Sequence, residues 1–439
     1  MTMRHRLAAL GFLLLAAWAP HGVGTIGGGS APVVNPQTIT LSVPLANNGA
    51  VGTASATNSP TSWTLVASSC ATCYQISNSG VITGAANAAN VVTESDTLTV
   101  TATNASGTSP QQTITINAYV DGYVGRPTIA SANLPNLLNG EAVRPPWKVA
   151  GVDYGVGIPD AKIATLKDPT TISISGVTVN SGTGTITCTA PNVVLDNYDM
   201  SAYQVTPASG CSNITITNSK IKALLMNAAS GGGMTVTNNN FDQSTSGLTS
   251  FLGYTGGGAT APYLIEYNVF FHSNQHILEA EASTNSLVFK FNLIQDSGAN
   301  NPASHVNYLQ MSGTINGVVW NFNTVSQQHV SAGGEGIQWV DCCSGTSTMN
   351  APDGSYNTMV TTNNGACALS YLWHISNQTG GGTTTITNGT MTSNYMDDTG
   401  TLGGPCGGHS IGGGFLYAGT APGVTLSVNK AMQNGATIP

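Results

Sequence analysis

Charge is the scarcest ingredient of this chain. Only 7% of its 439 residues are charged, 11 of them Lys or Arg and 19 Asp or Glu, and no arginine follows Arg144. A net charge of −8 without any basic stretch leaves no electrostatic footprint for nucleic acid. Long helices are excluded by a related shortage. They draw on Leu, Glu, Lys and Arg, whereas Thr, Ser, Asn, Ala and 53 Gly dominate here. No apolar run is long enough to span a bilayer. The one candidate, Leu7 to Ala17, follows the cationic Met1 to Arg6 and precedes Ala17-Trp18-Ala19, a small-x-small site. Residues 1–24 therefore read as a secretory signal peptide. The mature protein is expected outside the cytoplasm, extracellular or periplasmic, as a monomer without membrane contact.

Eight cysteines suit an oxidising compartment. Cys70 and Cys73 form a C-x-x-C with no second pair to complete a zinc site, so a tight structural disulfide is expected. Cys188 and Cys211 stand one repeat apart and are placed to staple neighbouring rungs. Cys342, Cys343, Cys367 and Cys406 are expected to pair among themselves in an order the sequence leaves open.

What the chain does have is period. After a Gly/Ser/Pro linker at 25–36, alternating apolar and polar residues run through 37–120, for example Thr97-Leu98-Thr99-Val100-Thr101 and Thr113-Ile114-Thr115-Ile116, with turns between. That is the signature of a β-sandwich. From 171 to 439 short apolar strands recur, each closed by asparagine: Leu195-Asp196-Asn197, Ile216-Thr217-Asn218, Val236-Thr237-Asn238, Glu266-Tyr267-Asn268, Phe291-Asn292 and Phe322-Asn323. Asparagine tolerates left-handed backbone, and its amide can pair with the rungs above and below. A repeat of roughly 20 to 35 residues marks a solenoid. The Pro-rich stretch between the two regions, 121–170, is expected to cap the solenoid's N-terminal end, and Asp153 and Tyr154 are assigned to that cap. The fold class is therefore all-β: a right-handed parallel β-helix with three-strand coils behind an N-terminal Ig-like β-sandwich.

Aligning coils on these asparagines yields a column of first strands: Leu224-Leu225-Met226, Phe251-Leu252-Gly253, Ile277-Leu278-Glu279, Tyr308-Leu309-Gln310, Gly336-Ile337-Gln338 and Tyr371-Leu372-Trp373. Alternation puts Leu278, Leu309 and Ile337 inside and Glu279, Gln310 and Gln338 outside. His276, Glu281, Asn307 and Glu335 are their neighbours, and His272, His305, His329 and Asp341 flank them. Glu279, Glu281, Glu335 and Asp341 are four of the 19 acids, and five of the eight histidines (272, 276, 305, 329, 374) fall in these coils. Glu279 and Glu335, two coils apart, are expected about 9 to 10 Å from one another. An inverting glycosidase separates its carboxyls by about 6.5 to 9.5 Å. Hydrolysis by Glu279 and Glu335 is accordingly the leading expectation, with Glu281 and Asp341 as substitutes if the register slips by one pleat.

Two other readings stand beside it. His305 as base and Tyr308 as acid would suit a polysaccharide lyase or uronate epimerase. A solvated polar stripe on a non-catalytic adhesin or glycan-binding stalk is the third. Substrate contacts are expected from His276, Asn307, Gln310, Gln338 and Trp373, the last by stacking. No cofactor is required. Calcium could replace the missing cations, with Glu279, Glu281 or Asp341 as oxygen ligands. Clustered histidines lack metal-site spacing.

The region 125–439, with its asparagine-closed strands and its polar cluster on the first strand, resembles the pectate-lyase-like right-handed parallel β-helix superfamily. Segments such as Ser79-Gly80-Val81-Ile82-Thr83-Gly84 resemble bacterial cadherin-like or Ig-like modules. The first resemblance implies an active site on the outer face of the first strands and a polysaccharide substrate. The chain departs from the superfamily's pattern in important ways. It has no Arg base or carboxylate-holding Arg in the coils, and no paired-Asp, G-H-G or R-I-K motif. Lys290 sits on a second strand without a matching Arg. A groove this poor in cations favours a neutral or lightly charged glycan, since Arg–carboxylate pairing normally holds uronates.

Overall fold

The computed structural model describes residues 29–43, 45–70, 72–88, 95–120, 129–226, 232–243, 250–254, 262–274, 276–280, 284–285, 287–297, 307–311, 313–327, 335–339, 346–360, 362–363, 366–367, 371–375, 383–397 and 423–438. The expected signal peptide lies outside them. The chain is all-β and divides into two compact units, one within residues 29–117 and a larger one that runs from Ala118 to the end.

The smaller unit is built on the long strand Ser95–Asn104, antiparallel to Ser62–Ser68 on one side and to Gln112–Val120 on the other. Alternation does what the sequence asks: Leu98, Val100 and Ala102 are buried with Ile114, Ile116 and Trp63, while Thr97, Thr99 and Thr101 face outward. The Cys70–Cys73 disulfide is formed.

The larger unit consists of parallel sheets whose neighbours in space are a full repeat apart in sequence. Second strands stack in the order Val194–Asp196, Ile214–Thr217, Met234–Thr237, Tyr263–Glu266, Leu287–Lys290 and Val319–Asn321, all parallel and in register. Third strands stack as Lys220–Met226, Asn240–Asp242, Val269–Phe271, Leu293–Gln295, Thr324–Ser326, Thr358–Val360, Tyr395–Asp397 and Asn429–Ala431. This sheet order is compatible with a β-helix. Its interior is one continuous apolar cluster, from Ile186 and Leu195 through Phe241, Phe270, Phe289 and Trp320 to Met396 and Ala431. Ring stacking runs up that core, with Phe289 and Trp320 centroids 4.0 Å apart and 2° from parallel. The Cys188–Cys211 disulfide joins adjacent coils as expected. Cys342, Cys343 and Cys406, and the side chain of Cys367, lie outside the described residues.

Of the asparagines that close strands in the sequence pattern, Asn268, Asn292 and Asn323 join the buried ladder, whereas the first three stand one residue before it. The buried ladder is Asn239, Asn268, Asn292, Asn323, Asn357, Asn394 and Asn429, each fully enclosed. Each Nδ2 donates to the next Oδ1 along the ladder at 3.0 to 3.3 Å, and each of those oxygens also accepts the backbone N–H of the coil below. Asn197, Asn218 and Asn238 stand one position earlier, in left-handed conformation with φ of 66°, 50° and 57°. In later coils that left-handed position is taken by Tyr267, Phe291, Phe322 and Tyr356, at φ of 57° to 61°. Bulky residues avoid this region. Here their rings stack from coil to coil with centroids 5.0 to 5.4 Å apart.

The segment 129–158, within the region expected as a cap, runs along the flank of the parallel sheets and meets their rungs from Asn240 to Met432. Val143 N–H donates to the Met432 carbonyl in the last coil. Trp147 meets Phe322, Tyr356 and Tyr395 edge-on at 5.3 to 5.8 Å, and Tyr154 packs on Tyr267. Gly157 N–H donates to the Tyr267 carbonyl, and Ile158 N–H to Asn240 Oδ1. Glycine is required at 157 twice over. Its φ is +77°, and a Cβ would collide with Asn240 Oδ1 and lie 2.7 Å from Val269 Cγ2. Asp153 and Tyr154 thus serve this strap: Asp153 pairs with Arg144 at 3.0 Å and accepts from Val149 N–H, and Tyr154 is buried.

Candidate functional site

The first strands form their own parallel column: Ser250–Tyr254, His276–Ala280, Asn307–Met311, Glu335–Trp339 and Tyr371–Ile375. Backbone register fixes which residues share a line along the solenoid. Gly253, Glu279, Gln310, Gln338 and His374 form one line. Ser250 pairs with His276, and Asn307, Glu335 and Tyr371 continue that line in later coils. Between them Leu252, Leu278, Leu309, Ile337 and Trp373 align, the first three fully buried.

Glu279, Gln310 and Gln338 therefore stand where the sequence alignment puts them. Glu335 does not share their line. It lies two coils and three residues from Glu279, a Cα separation of about 14 Å, wider than the spacing expected from stacking alone. Trp373 is also displaced: it pairs with Ile337, and His374 is the residue opposite Gln338. A one-residue slip in the last first strand is enough to exchange them.

Three of the expected substrate contacts are largely enclosed. His276, Asn307 and Gln310 are 7%, 0% and 9% exposed. Asn307 N–H donates to His276 Nδ1 at 3.3 Å, and Asn307 Nδ2 donates to Gln310 Oε1 at 2.8 Å. The first of these bonds makes Nδ1 an acceptor, so the neutral imidazole carries its proton on Nε2. Tyr308 is corrected outright. Its side chain is fully buried in the core, its hydroxyl 3.3 Å from Gln327 Oε1, and burial, reinforced by Asp296, pushes its pKa well above the ordinary 10.0. A phenol there does not reach a groove on the outside. Phe251 and Ile277 precede it on the same line and are buried too. Two successive inward residues per strand mark a corner rather than strict alternation, and alternation alone could not reveal it.

Glu281, His305, His329 and Asp341 lie outside the described residues, as do the side chains of Glu279, Glu335, Gln338, Trp373 and His374. Among the described residues no group of three or more His, Cys, Asp or Glu could hold a metal ion.

The third-strand face carries a cluster that the first-strand alignment does not single out. Asp199 approaches Lys220 at 3.6 Å, and Asp242 approaches His272 Nδ1 at 3.6 Å. His272, a flanking residue in the sequence pattern, sits at φ 51°. The signal that could have found the cluster is the single charged residue at the same step after each closing asparagine, Asp199 and Lys220, followed two residues further by Asp242 in the next coil. No family model, no curated protein and no solved structure matches the chain.

Proposed function

We propose that this chain is an exported carbohydrate-acting protein, a right-handed parallel β-helix of the pectate-lyase-like kind preceded by an Ig-like module, which engages a neutral polysaccharide along the outer face of its first strands. The observation that carries this reading is the line Glu279, Gln310, Gln338, His374, polar in four successive coils of a chain with only 7% charged residues. Successive members are about 4.8 Å apart, a repeat close to the length of one sugar unit. The two disulfides suit an oxidising compartment.

Hydrolysis is the favoured reaction. Glu279 is the leading carboxylate, donating a proton to the departing glycosidic oxygen while a second carboxylate activates water. Glu335 needs both side chains to reach toward each other across the register offset, so Glu281 and Asp341 are equal candidates for the second role. Incubation of the mature protein with a panel of neutral and uronate-containing polysaccharides tests this. New reducing ends without ultraviolet absorbance support a hydrolase, and Glu279→Gln should then lower turnover by at least about a hundredfold. Absorbance from an unsaturated uronate would replace this reading with a lyase whose acid is not Tyr308.

The observation that favours the second reading, a non-catalytic surface adhesin, over catalysis is that His276, Asn307 and Gln310 are enclosed and bonded to one another. Binding to a polysaccharide without product on either channel, unchanged by Glu279→Gln, would establish it.

A further inference from the structure

A cleft of about 410 Å³ opens on the third-strand face, lined by Ser201, Ala202, Lys220, Asn240, Asp242 and Phe271. Its volume is that of a small-molecule site. The cleft has a structural cause. Between Met200 and Gln204 the strand Asp199–Pro207 carries three residues where its partner Lys220–Met226 carries one. This irregularity leaves Ser201 and Ala202 exposed at one rim of the cleft. Bulges commonly re-aim side chains in this way beside functional sites.

Register sets the spacing inside the cleft. Lys220 pairs with Asn240, and Asp242, two residues along, pairs with Phe271 of the next coil. Lys220 and Phe271 thus lie two coils and two residues apart, with Asp242 between. Those steps of about 4.8 and 3.3 Å place the Lys220 and Phe271 Cα atoms about 12 Å apart across the cleft. The floor is held from outside: Ile158 of the strap donates its N–H to Asn240 Oδ1 at 3.0 Å. The mouth is held by His272 against Asp242 and by Ser201 Oγ donating to Asp199 Oδ1 at 2.6 Å.

The chemistry of this lining is specific. Phe271 is partly exposed and offers an apolar ring face. Asp242, which approaches His272 at 3.6 Å, brings a carboxylate, an acceptor of hydrogen bonds from hydroxyls, to the lining. Lys220 is a donor whose charge is matched by Asp199. An aromatic platform beside a carboxylate and an ammonium suits a ligand with one C–H face and adjacent hydroxyls. Asp199 and Asp242 pair with Lys220 and His272, so these four groups carry no net positive charge to draw an anionic ligand.

We propose that this cleft is a second saccharide site, distinct from the first-strand groove, that binds a single neutral pyranose unit with Phe271 under its C–H face and Asp242 and Lys220 on neighbouring hydroxyls. It would hold a chain end or branch of a glycan on a different face from the one proposed to act on it. The inference stands whether or not the first-strand face is catalytic.

The test is titration of the full mature protein with methyl glucoside, methyl galactoside and methyl mannoside, read by calorimetry and by saturation transfer to the sugar protons. At least one should bind saturably, with methyl glucuronide weaker. Asp242→Asn and Phe271→Ala should each weaken binding about tenfold, Phe271→Tyr should retain it, and Glu279→Gln should leave it unchanged. Thermal unfolding of each variant shows that it is folded. Absence of saturation with every methyl glycoside overturns the proposal, as does equal affinity in wild type, Asp242→Asn and Phe271→Ala. Loss of binding in Glu279→Gln alone would also overturn it, moving the sugar to the first-strand face.

Discussion

Asn292 shows how much one amide can carry when the chain surrounds it completely. Its Oδ1 accepts from the N–H and Nδ2 of Asn268, and its Nδ2 donates to the Ile265 carbonyl and to Asn323 Oδ1. Asn292→Ala strands the buried Asn268 N–H and the Ile265 carbonyl, both in the neighbouring coil. A buried polar group left unpaired costs about 1 to 3 kcal/mol, so the variant should lose about 3 kcal/mol in urea unfolding. At His272 the relevant quantity is pH. Interaction with the Asp242 carboxylate raises its pKa above 6.5 against the opposing effect of partial burial, and Asp296 adds to the rise. A raised folded pKa contributes stability that is fully present below about 6.5 and lost as pH rises through the folded value. The stability difference between wild type and His272→Ala should therefore shrink from pH about 5.5 to about 8.5, measured by denaturant midpoint. A difference constant across that range would remove the Asp242–His272 pairing from the account.

The strap is the element whose role the sequence conceals most. Pro and Gly in 129–158 suggest the irregularity of a cap, and that irregularity is real. Its destination is set by rings elsewhere in the chain. Tyr267, Phe291, Phe322 and Tyr356 stack in left-handed positions on the outside of the turns, and Trp147 and Tyr154 cover them. Trp147 is only 7% exposed. Truncating a buried Trp typically costs about 3 to 5 kcal/mol, so Trp147→Ala should loosen the strap. Limited proteolysis should then cut within 129–158 well before the coils. A protease pattern identical to wild type would mean that the backbone bonds to Met432, Tyr267 and Asn240 hold the strap without the indole.

Repetition governs the whole molecule. In a solenoid each repeat contacts its neighbours, and damage should stay local. Removing the Cys188–Cys211 link, whose partners are 23 residues apart, should cost about 3 kcal/mol by loop entropy. The strap adds a second term, since it connects Asn240, through Ile158, with Met432 in the last coil, through Val143. In a Cys188→Ser/Cys211→Ser variant, amide exchange should rise around residues 185–221 and stay at wild-type level around 389–431. The same disulfide variant carrying Trp147→Ala should show a broader urea transition, because the element that couples distant coils is weakened. A transition as sharp as wild type would assign the cooperativity to the coils themselves.

Period and composition were enough to show an all-β chain and the bonded cysteine pairs, and its parallel sheets are compatible with the expected coils, because burial of one face repeats at the spacing of the strands. They also aligned Glu279 with Gln310 and Gln338, since the same leucine column precedes each. Offsets of a single residue were decided in three dimensions. Asn238 and Asn239 are equivalent as letters, yet only Asn239 faces inward to join the ladder. Tyr308 went to the core because a corner, rather than alternation, selects its face, and pairing register set Trp373 opposite Ile337. The cleft around Asp242 depends on a bulge in one strand, a strap from the flank and side chains of three coils, and no local pattern in the sequence encodes that meeting.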